Sequence, residues 1–445
     1  MSNIAGDASQ LLQAFVIDFT QAFWQVPIKP EERKYFCATA IFRGRRRYLV
    51  FLRAAQGSAM APLLWCRIIA CVCVLTQSLM NLEESSMLCY VDDPLAALAG
   101  TQDHIKAMVS MIVLTWEALG FKLAYPKGQF GSEVTWIGGT IQCLPAAIRV
   151  TIKESIIQDI MADLKRFLEG NVIAIKDLHS TTGKLNHAAG LLVILRPFVQ
   201  PLWAALHATH NARGPPNCVW TKQIKTTLRW FQSFFDAEGT RLERVYTLEA
   251  YQRAGTVIEI GTDASPWGLG GWISQDGKIT EFFSSPLTSI DEAKYGRRIG
   301  EADGQQIWEC LAILVAVDVW HSKWSKQRVV LKVKGDNVAA LTLLIKMRPS
   351  TPEMAVIARE LALRLATLSF PPDAIHTPGI AHVVADKLSR IHSPDGDGIV
   401  GLSIHHALSS ATAVQVPART AEWYKTDTPD SASIEAHEKN WESWE

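Results

Sequence analysis

One stretch organises the rest of the chain: Leu88-Cys89-Tyr90-Val91-Asp92-Asp93-Pro94-Leu95, an apolar run interrupted by two adjacent acids. Neighbouring carboxylates inside an apolar run repel each other and lose solvation, so they need a cation or another partner to stay ionised. The pattern predicts a metal site on a β-hairpin. If both flanks are strands, Asp92 and Asp93 point to opposite faces, and only one enters the cleft directly. A third acid must then come from elsewhere.

A suitable third acid is Asp18, which lies in a run of aromatic and β-branched residues, Phe15-Val16-Ile17 before it and Phe19 after it. Such runs are typical of β-strands. On these two acidic motifs the chain resembles the palm of a reverse transcriptase of the long-terminal-repeat retroelement and retrovirus kind. The resemblance implies that Asp18, Asp92 and Asp93 bind two Mg²⁺ ions, with Mn²⁺ as a possible substitute.

The same resemblance assigns further polymerase roles. Phe23 matches the aromatic gate that excludes a ribose 2′-hydroxyl, and without the other motifs a buried strand or turn aromatic would be the preferred explanation. Gln56 matches a residue near the incoming nucleotide. Lys127 matches a proton donor to the leaving pyrophosphate, with an exposed turn lysine as the alternative. Trp136 and Gly138 match the hairpin that grips the primer.

Two other features of this half bear on nucleic-acid binding and folding. Asp18 lies close to the start of the sequence, so we expect most of the fingers region, with its triphosphate-binding cations, to be missing. The cluster Arg43-Gly44-Arg45-Arg46-Arg47 predicts a hairpin tip, which either contacts the template or is simply solvated. The apolar stretch from Leu63 to Leu79 predicts a buried helix, and residues 101–119 predict an amphipathic one.

A second constellation of acids follows, and it resembles a retroelement ribonuclease H (RNase H) domain. Its carboxylates occur at predicted strand ends or on helices, and the resemblance makes all of them ligands of two Mg²⁺ ions: Asp263, Glu309, Asp336 and Asp386. Hard cations need several carboxylate oxygens, which no single loop can supply. By the same resemblance His376 assists product release, and His382 stands where an asparagine is usual.

The predicted fold class is therefore mixed, α+β and α/β. We expect a ferredoxin-like right-hand palm with truncated fingers in residues 1–145, and thumb and connection helices in 146–250. An RNase H-like mixed sheet with helices should occupy 251–398, and an acidic, mostly disordered tail 399–445. The whole resembles the reverse transcriptase and RNase H region of a gypsy-like or DIRS-like retroelement polyprotein.

Composition sets broader limits. The 445 residues carry a net charge of zero and are 48 % hydrophobic. A neutral chain argues mildly against a nucleic-acid partner, but much of the acid excess falls in the tail. We see no secretory signal and no uninterrupted apolar run of about 18 residues. The eight cysteines are scattered, which favours reduced thiols and an intracellular, cytoplasmic or nuclear location.

The function predicted from the sequence is RNA-directed DNA polymerisation together with RNase H activity. Its partners would be an RNA template, a DNA primer, an RNA–DNA hybrid and deoxynucleoside triphosphates, with no membrane. Two alternatives stay open. The chain is either a hydrolase only, whose decayed polymerase half holds the hybrid, or a non-enzymatic nucleic-acid-binding relic.

Overall fold

The computed structural model describes residues 11–208, 215–236, 243–247, 249, 253–324, 327–366, 368, 371–394 and 406–426. They belong to two compact units. Unit 1 covers Met1–Lys153 and Arg244–Leu248, and unit 2 covers Glu154–Glu243 and Glu249–Glu445. Both units contain sheets and helices, which confirms the mixed fold class at that level.

Unit 1 is built on an antiparallel four-stranded sheet in the order β4-β5-β1-β6. Its strands are β1 (Leu11–Val16), β4 (Ser85–Tyr90), β5 (Asp93–Gly100) and β6 (Gln129–Gly131). The helices α1 (Ala61–Ser78) and α2 (Gln102–Ala118) contribute large apolar side chains to the same core as the sheet, among them Trp65 and Trp116. Gly120, at a φ of +85°, follows the end of α2, as the predicted 101–119 helix requires.

Two further antiparallel groups complete unit 1. The first is a hairpin, β2 (Cys37–Phe42) with β3 (Arg45–Val50), and the second is a sheet in the order β12-β9-β8-β7. The strands of that sheet are β7 (Glu133–Trp136), β8 (Gly139–Leu144), β9 (Ala147–Ile152) and β12 (Glu243–Thr247). Arg43 and Gly44, both at positive φ, form the tip of the first hairpin, which confirms the predicted turn.

Helix α1 forms where a helix was expected, but it is not buried all round. Trp65, Ile69 and Val72 enter the core, whereas Val74 is 69 % exposed and Leu75 55 % exposed. The expectation of full burial is wrong because only one helical face meets the sheet. Within the described residues α1 is the one helix that is long and apolar enough to span a membrane, by length and composition only, and a single such helix is weak evidence.

Unit 2 begins with four helices and a two-stranded sheet. The helices are α3 (Glu154–Glu169), α4 (Ile175–Leu191), α5 (Arg196–His207) and α6 (Thr221–Asp236), and the strands are β10 (Val172–Ala174) and β11 (Cys218–Trp220). Aromatic side chains join α5 to α6, since the rings of Phe198 and Trp230 stack with their centroids 3.5 Å apart.

The rest of unit 2 is a six-stranded mixed sheet in the order β17-β16-β13-β14-β15-β18. Its strands are β13 (Thr256–Ala264), β14 (Gly268–Gln275), β15 (Lys278–Pro286), β16 (Val329–Gly335), β17 (Asp373–His376) and β18 (Thr412–Ala413). In the described part of this region five α-helices accompany it: α7 (Ser289–Tyr295), α8 (Gln305–Trp320), α9 (Val338–Lys346), α10 (Pro352–Leu365) and α11 (Val383–Arg390). Helix α8 is buried on nearly every side, so it is the central helix of this core.

Residues 406–426 pack onto unit 2, so the expected disorder of residues 399–445 is wrong for this segment. The strand β18 pairs in parallel with β15. Leu408 and Tyr424 are buried, and the Arg419 guanidinium forms a buried ion pair with Asp291. The polar composition of the segment suggested disorder, but a few buried side chains hold it against the rest of unit 2. The remainder of 399–445 lies outside the described residues.

Candidate active sites

The acidic pair of unit 1 lies at a two-residue turn. Strands β4 and β5 pair through Tyr90 and Asp93, so Val91 and Asp92 form the turn itself. The predicted hairpin is confirmed, but the strand alternation expected for Asp92 does not apply, because Asp92 is a turn residue. Val91 has a φ of +56°, which is costly for a β-branched residue.

Asp18 lies next to this turn because of the strand register. Val16 of β1 pairs with Leu95 of β5. Because the strands are antiparallel, Asp18, two residues after Val16, comes opposite Asp93, two residues before Leu95. Burial, followed by the charges of Asp92 and Asp18, raises the pKa of Asp93. The three acids therefore share one electrostatic neighbourhood.

Lys127 supplies a cation to this neighbourhood. Its ammonium forms an ion pair with the Asp18 carboxylate, and that hydrogen bond raises the pKa of Lys127. In the described part of the chain, Asp18, Asp92 and Asp93 do not form a group whose ligand oxygens all lie within 4.8 Å of one another. Their shared metal site, like the proton-donor role of Lys127, stays a prediction.

The other polymerase residues suggested by resemblance occupy varied positions. Phe23 is half-buried in a short 3₁₀ turn, Ala22–Gln25, and Gln56 is exposed beside Gly57, which has a φ of +90°. Gly138 lies in the tight turn between β7 and β8. The Trp136 indole nitrogen donates to the Asp93 carbonyl at 2.9 Å, so this residue touches the acidic turn directly.

The acids of unit 2 form a tighter group. Asp263 lies near the end of β13, Asp336 directly follows the neighbouring parallel strand β16, and Glu309 projects from the core helix α8. Their carboxylate oxygens all lie within 4.8 Å of one another. The sequence predicted these residues as ligands, and the structure brings them together from three separate elements.

Burial makes this group electrostatically costly without a cation. Asp263 is 4 % exposed and Glu309 6 % exposed. Burial raises the pKa of Asp263 to about 7, with the charges of Asp336 and Asp386 adding to the effect. Burial likewise raises the pKa of Glu309 well above its ordinary value, and Asp263 contributes further.

These residues fit a divalent cation. The ligand set is all carboxylate, which suits Mg²⁺ or Mn²⁺. The side chains that hydrogen-bond to these carboxylates are neutral: the Ser389 hydroxyl donates to Asp263 at 2.7 Å, and the Gln305 amide donates to Glu309 at 3.0 Å. Because neutral donors do not cancel the negative charge of the carboxylates, a bound cation would offset it.

The fourth predicted acid, Asp386, lies on α11 and is held by Arg390, whose Nε donates to its carboxylate at 2.7 Å. It raises the pKa of Asp263 and so lies near it, but it is outside the group of three. His382 is buried just before α11, and its Nε2 lies 2.7 Å from the carbonyl oxygen of Thr262. The unusual histidine thus links the start of α11 to the strand that carries Asp263.

His376 is exposed at the end of β17, where it pairs with Gly335, the residue before Asp336. This places it at the edge of the acidic group, and its accessory role stays a prediction. Sequence reasoning missed Ser389 and Gln305. Each is three or four residues from a predicted ligand on the same helix, a spacing that puts both side chains on one helical face.

Comparison with known proteins agrees with part of this description. Residues 6–141 match the family model described as reverse transcriptase (RNA-dependent DNA polymerase). The matched residues lie within unit 1. A search of curated proteins finds no match.

Solved structures of a foamy viral protease-reverse transcriptase are also similar. The form named dRH, in complex with double-stranded DNA, is 15 % identical at a TM-score of 0.42, over 84 % of this chain and 58 % of that one. The complex with an RNA/DNA hybrid is 14 % identical at a TM-score of 0.41, over 83 % of this chain and 45 % of that one. A further complex with double-stranded DNA is 16 % identical at a TM-score of 0.39, over 82 % of this chain and 68 % of that one. The chain thus spans about half the length of the first two.

Proposed function

We propose that this chain is an RNA-directed DNA polymerase of a retroelement and that it also cleaves RNA in RNA–DNA hybrids. The observation that carries the polymerase part is the reverse transcriptase match of residues 6–141, within which strand register puts Asp18 beside Asp93. The observation that carries the nuclease part is the buried group Asp263, Glu309 and Asp336.

In the polymerase reaction Asp18, Asp92 and Asp93 would hold Mg²⁺. The primer 3′-hydroxyl would lose its proton and attack the α-phosphate of a deoxynucleoside triphosphate, the bond to the β-phosphate would break, and pyrophosphate would leave. Phosphoryl transfer depends on positioning and on neutralising charge. Lys127, already paired with Asp18, would supply a positive charge beside that chemistry. The exposed arginines of the β2–β3 hairpin are available for template phosphates.

In the nuclease reaction Asp263, Glu309, Asp336 and Asp386 would hold the ions. Bound Mg²⁺ supplies an activated water and stabilises the leaving oxygen. The chain's own contribution is rigidity: Ser389 and Gln305 fix two carboxylates, and α11 brings Asp386 to the edge of the group. His376, exposed at the end of β17, would assist product release.

One observation favours a second candidate, a hydrolase whose polymerase half only holds the hybrid. In the described residues the acids of unit 2 form a compact ligand group, whereas Asp18 of unit 1 is paired with a lysine. The third reading, a binding relic, requires that neither group of acids support turnover.

The test is primer extension on an RNA template and cleavage of an RNA–DNA hybrid, run with Mg²⁺ on one preparation. Asp92→Asn and Asp336→Asn serve as reciprocal controls, since each should abolish one reaction and spare the other. Asparagine keeps the side-chain shape and removes the charge, so the affected rate should fall by several orders of magnitude, at about 1.4 kcal/mol of barrier per tenfold.

Cleavage without extension would leave only the hydrolase. A folded protein that does neither but still binds hybrid would be the relic. Equal rates for the wild type and a variant would remove that aspartate from its site.

A further inference from the structure

The strained turn at Val91 needs a structural cause. A β-branched residue in the left-handed region is strained, and such a conformation persists only when the surroundings impose it. Val91 is also the residue directly before Asp92 and Asp93. Whatever holds its backbone therefore holds both acids.

Trp65 is the side chain that meets this backbone. Its indole nitrogen donates a hydrogen bond to the Val91 carbonyl oxygen at 2.8 Å. The Cys89 thiol approaches the same oxygen at 3.5 Å and is a much weaker donor. Trp65 is fully buried, so its ring is fixed by packing and directs its N–H at one place.

The same ring also contacts the residue next to the third acid, just after β1. Phe19, next to Asp18, packs edge-on against the Trp65 ring at a centroid distance of 5.3 Å. Phe121 packs against it in the same manner at 5.9 Å. One buried side chain thus contacts the neighbour of Asp18 through its aromatic ring and the turn before Asp92 through its N–H.

We infer that Trp65 is a positioning residue that holds the Val91 turn in its left-handed conformation and so sets Asp92 and Asp93 relative to Asp18. The inference rests on the proposed polymerase function of unit 1. It separates two properties of Trp65: the aromatic ring stabilises the core, and the indole N–H fixes the turn.

The matched variant is Trp65→Phe, which keeps an aromatic ring and removes the N–H donor. It is made in the full chain carrying Asp263→Asn and Asp336→Asn, which silence the acids of unit 2. Mn²⁺ binding is followed by electron paramagnetic resonance, and Asp92→Asn identifies the signal that belongs to unit 1. We expect Trp65→Phe to fold and to bind this Mn²⁺ about tenfold more weakly, equivalent to about 1.4 kcal/mol.

A second substitution distinguishes positioning from packing. Glycine adopts positive φ without strain, so Val91→Gly removes the need for a clamp. In the Val91→Gly background, Trp65→Phe should weaken Mn²⁺ binding by no more than about twofold. An unchanged tenfold loss in that background would mean that Trp65 acts only through packing, and no loss in either background would overturn the inference.

Amide hydrogen exchange of the peptide containing residues 88–95 gives a readout that needs no metal. Trp65→Phe should speed its exchange severalfold and leave the middle of α1 unchanged. If no Mn²⁺ signal depends on Asp92 but exchange responds as expected, the proposed polymerase site is wrong and the role of Trp65 in the turn stands. If exchange at the turn is unaffected, the inference itself fails.

Discussion

At the scale of single residues, the two groups of acids differ in how the repulsion between their negative charges is offset. In unit 1 the Lys127 ammonium pairs with Asp18, and the pKa of Asp93 is raised mainly by burial. In unit 2 the hydrogen-bond donors to Asp263 and Glu309 are neutral. The unit 2 carboxylates are therefore where protons and a divalent cation should compete most strongly.

This competition predicts how stability depends on pH. Because the pKa of Asp263 is raised to about 7 in the metal-free fold, the native state binds more protons than the unfolded chain between about pH 4 and 7. This carboxyl therefore lowers stability as pH rises through that window. Mg²⁺ binding requires the ionised form, so its apparent affinity should be about tenfold weaker at pH 6 than at pH 8.

The measurement is thermal unfolding with and without Mg²⁺ at both pH values, for the wild type and Asp263→Asn. The wild type should gain more from Mg²⁺ at pH 8 than at pH 6, and the variant should lose most of that difference. An equal gain at both pH values in the wild type would show that Asp263 does not bind the ion.

At the scale of elements, the sequence was sufficient wherever a local pattern carried the information. Alternating and apolar runs ending in acids predicted β1, the β4–β5 hairpin and the placement of Asp263 and Asp336. It was insufficient where an element is fixed by contacts between residues far apart in sequence. Helix α11 is the example, because it packs closely on β14 only where β14 has glycines, and no periodic pattern in the sequence predicts this contact.

Gly270 of β14 lies directly under α11. A Cβ atom added there would lie 2.4 Å from the backbone nitrogen of Ser389 and 2.6 Å from the carbonyl oxygen of Ala385. Both atoms are backbone, so the helix must move. Gly270→Ala should cost about 1–3 kcal/mol and slow hybrid cleavage, because α11 carries Asp386 and Ser389.

Gly183→Ala is the matched control for this substitution. Gly183 is in α4, where an added Cβ meets nothing within 4 Å, so alanine should be neutral or stabilising by up to about 1 kcal/mol. Chemical denaturation of both variants and the wild type measures the difference. Equal stability of Gly270→Ala and wild type would show that α11 is not seated against β14 as described.

At the scale of the whole molecule, the least predictable feature is that residues 406–426 complete unit 2. Thr426 donates through its backbone N–H and its hydroxyl to the buried Glu360, and the Trp423 indole donates to Asp318 at 2.7 Å. Nothing in a Ser-, Thr- and Ala-rich segment indicates these partners, which lie tens of residues upstream. The visible signal was only its few large side chains, Leu408, Trp423 and Tyr424.

Arg419 is the strongest anchor of this segment and gives the clearest prediction. Its guanidinium binds Asp291 through two hydrogen bonds of 2.8 Å, and also donates to the Ser285 hydroxyl and the Pro286 carbonyl. Asp291 is fully buried, so Arg419→Met would leave an uncompensated charge inside the protein. Removing one partner of a buried ion pair costs about 3–5 kcal/mol.

We therefore expect Arg419→Met to lower the midpoint of chemical denaturation of unit 2 markedly, and Arg419→Met with Asp291→Leu to recover much of the loss, because the double variant leaves no buried charge. Arg298→Met is the control: the Arg298 side chain is 82 % exposed and its Nη1 lies 3.6 Å from the Glu301 carboxylate, and an exposed pair of this kind contributes little. If Arg419→Met is as stable as Arg298→Met, residues 406–426 are not anchored to this core. If the double variant is no more stable than Arg419→Met, the charge left on Asp291 is not the reason for the loss.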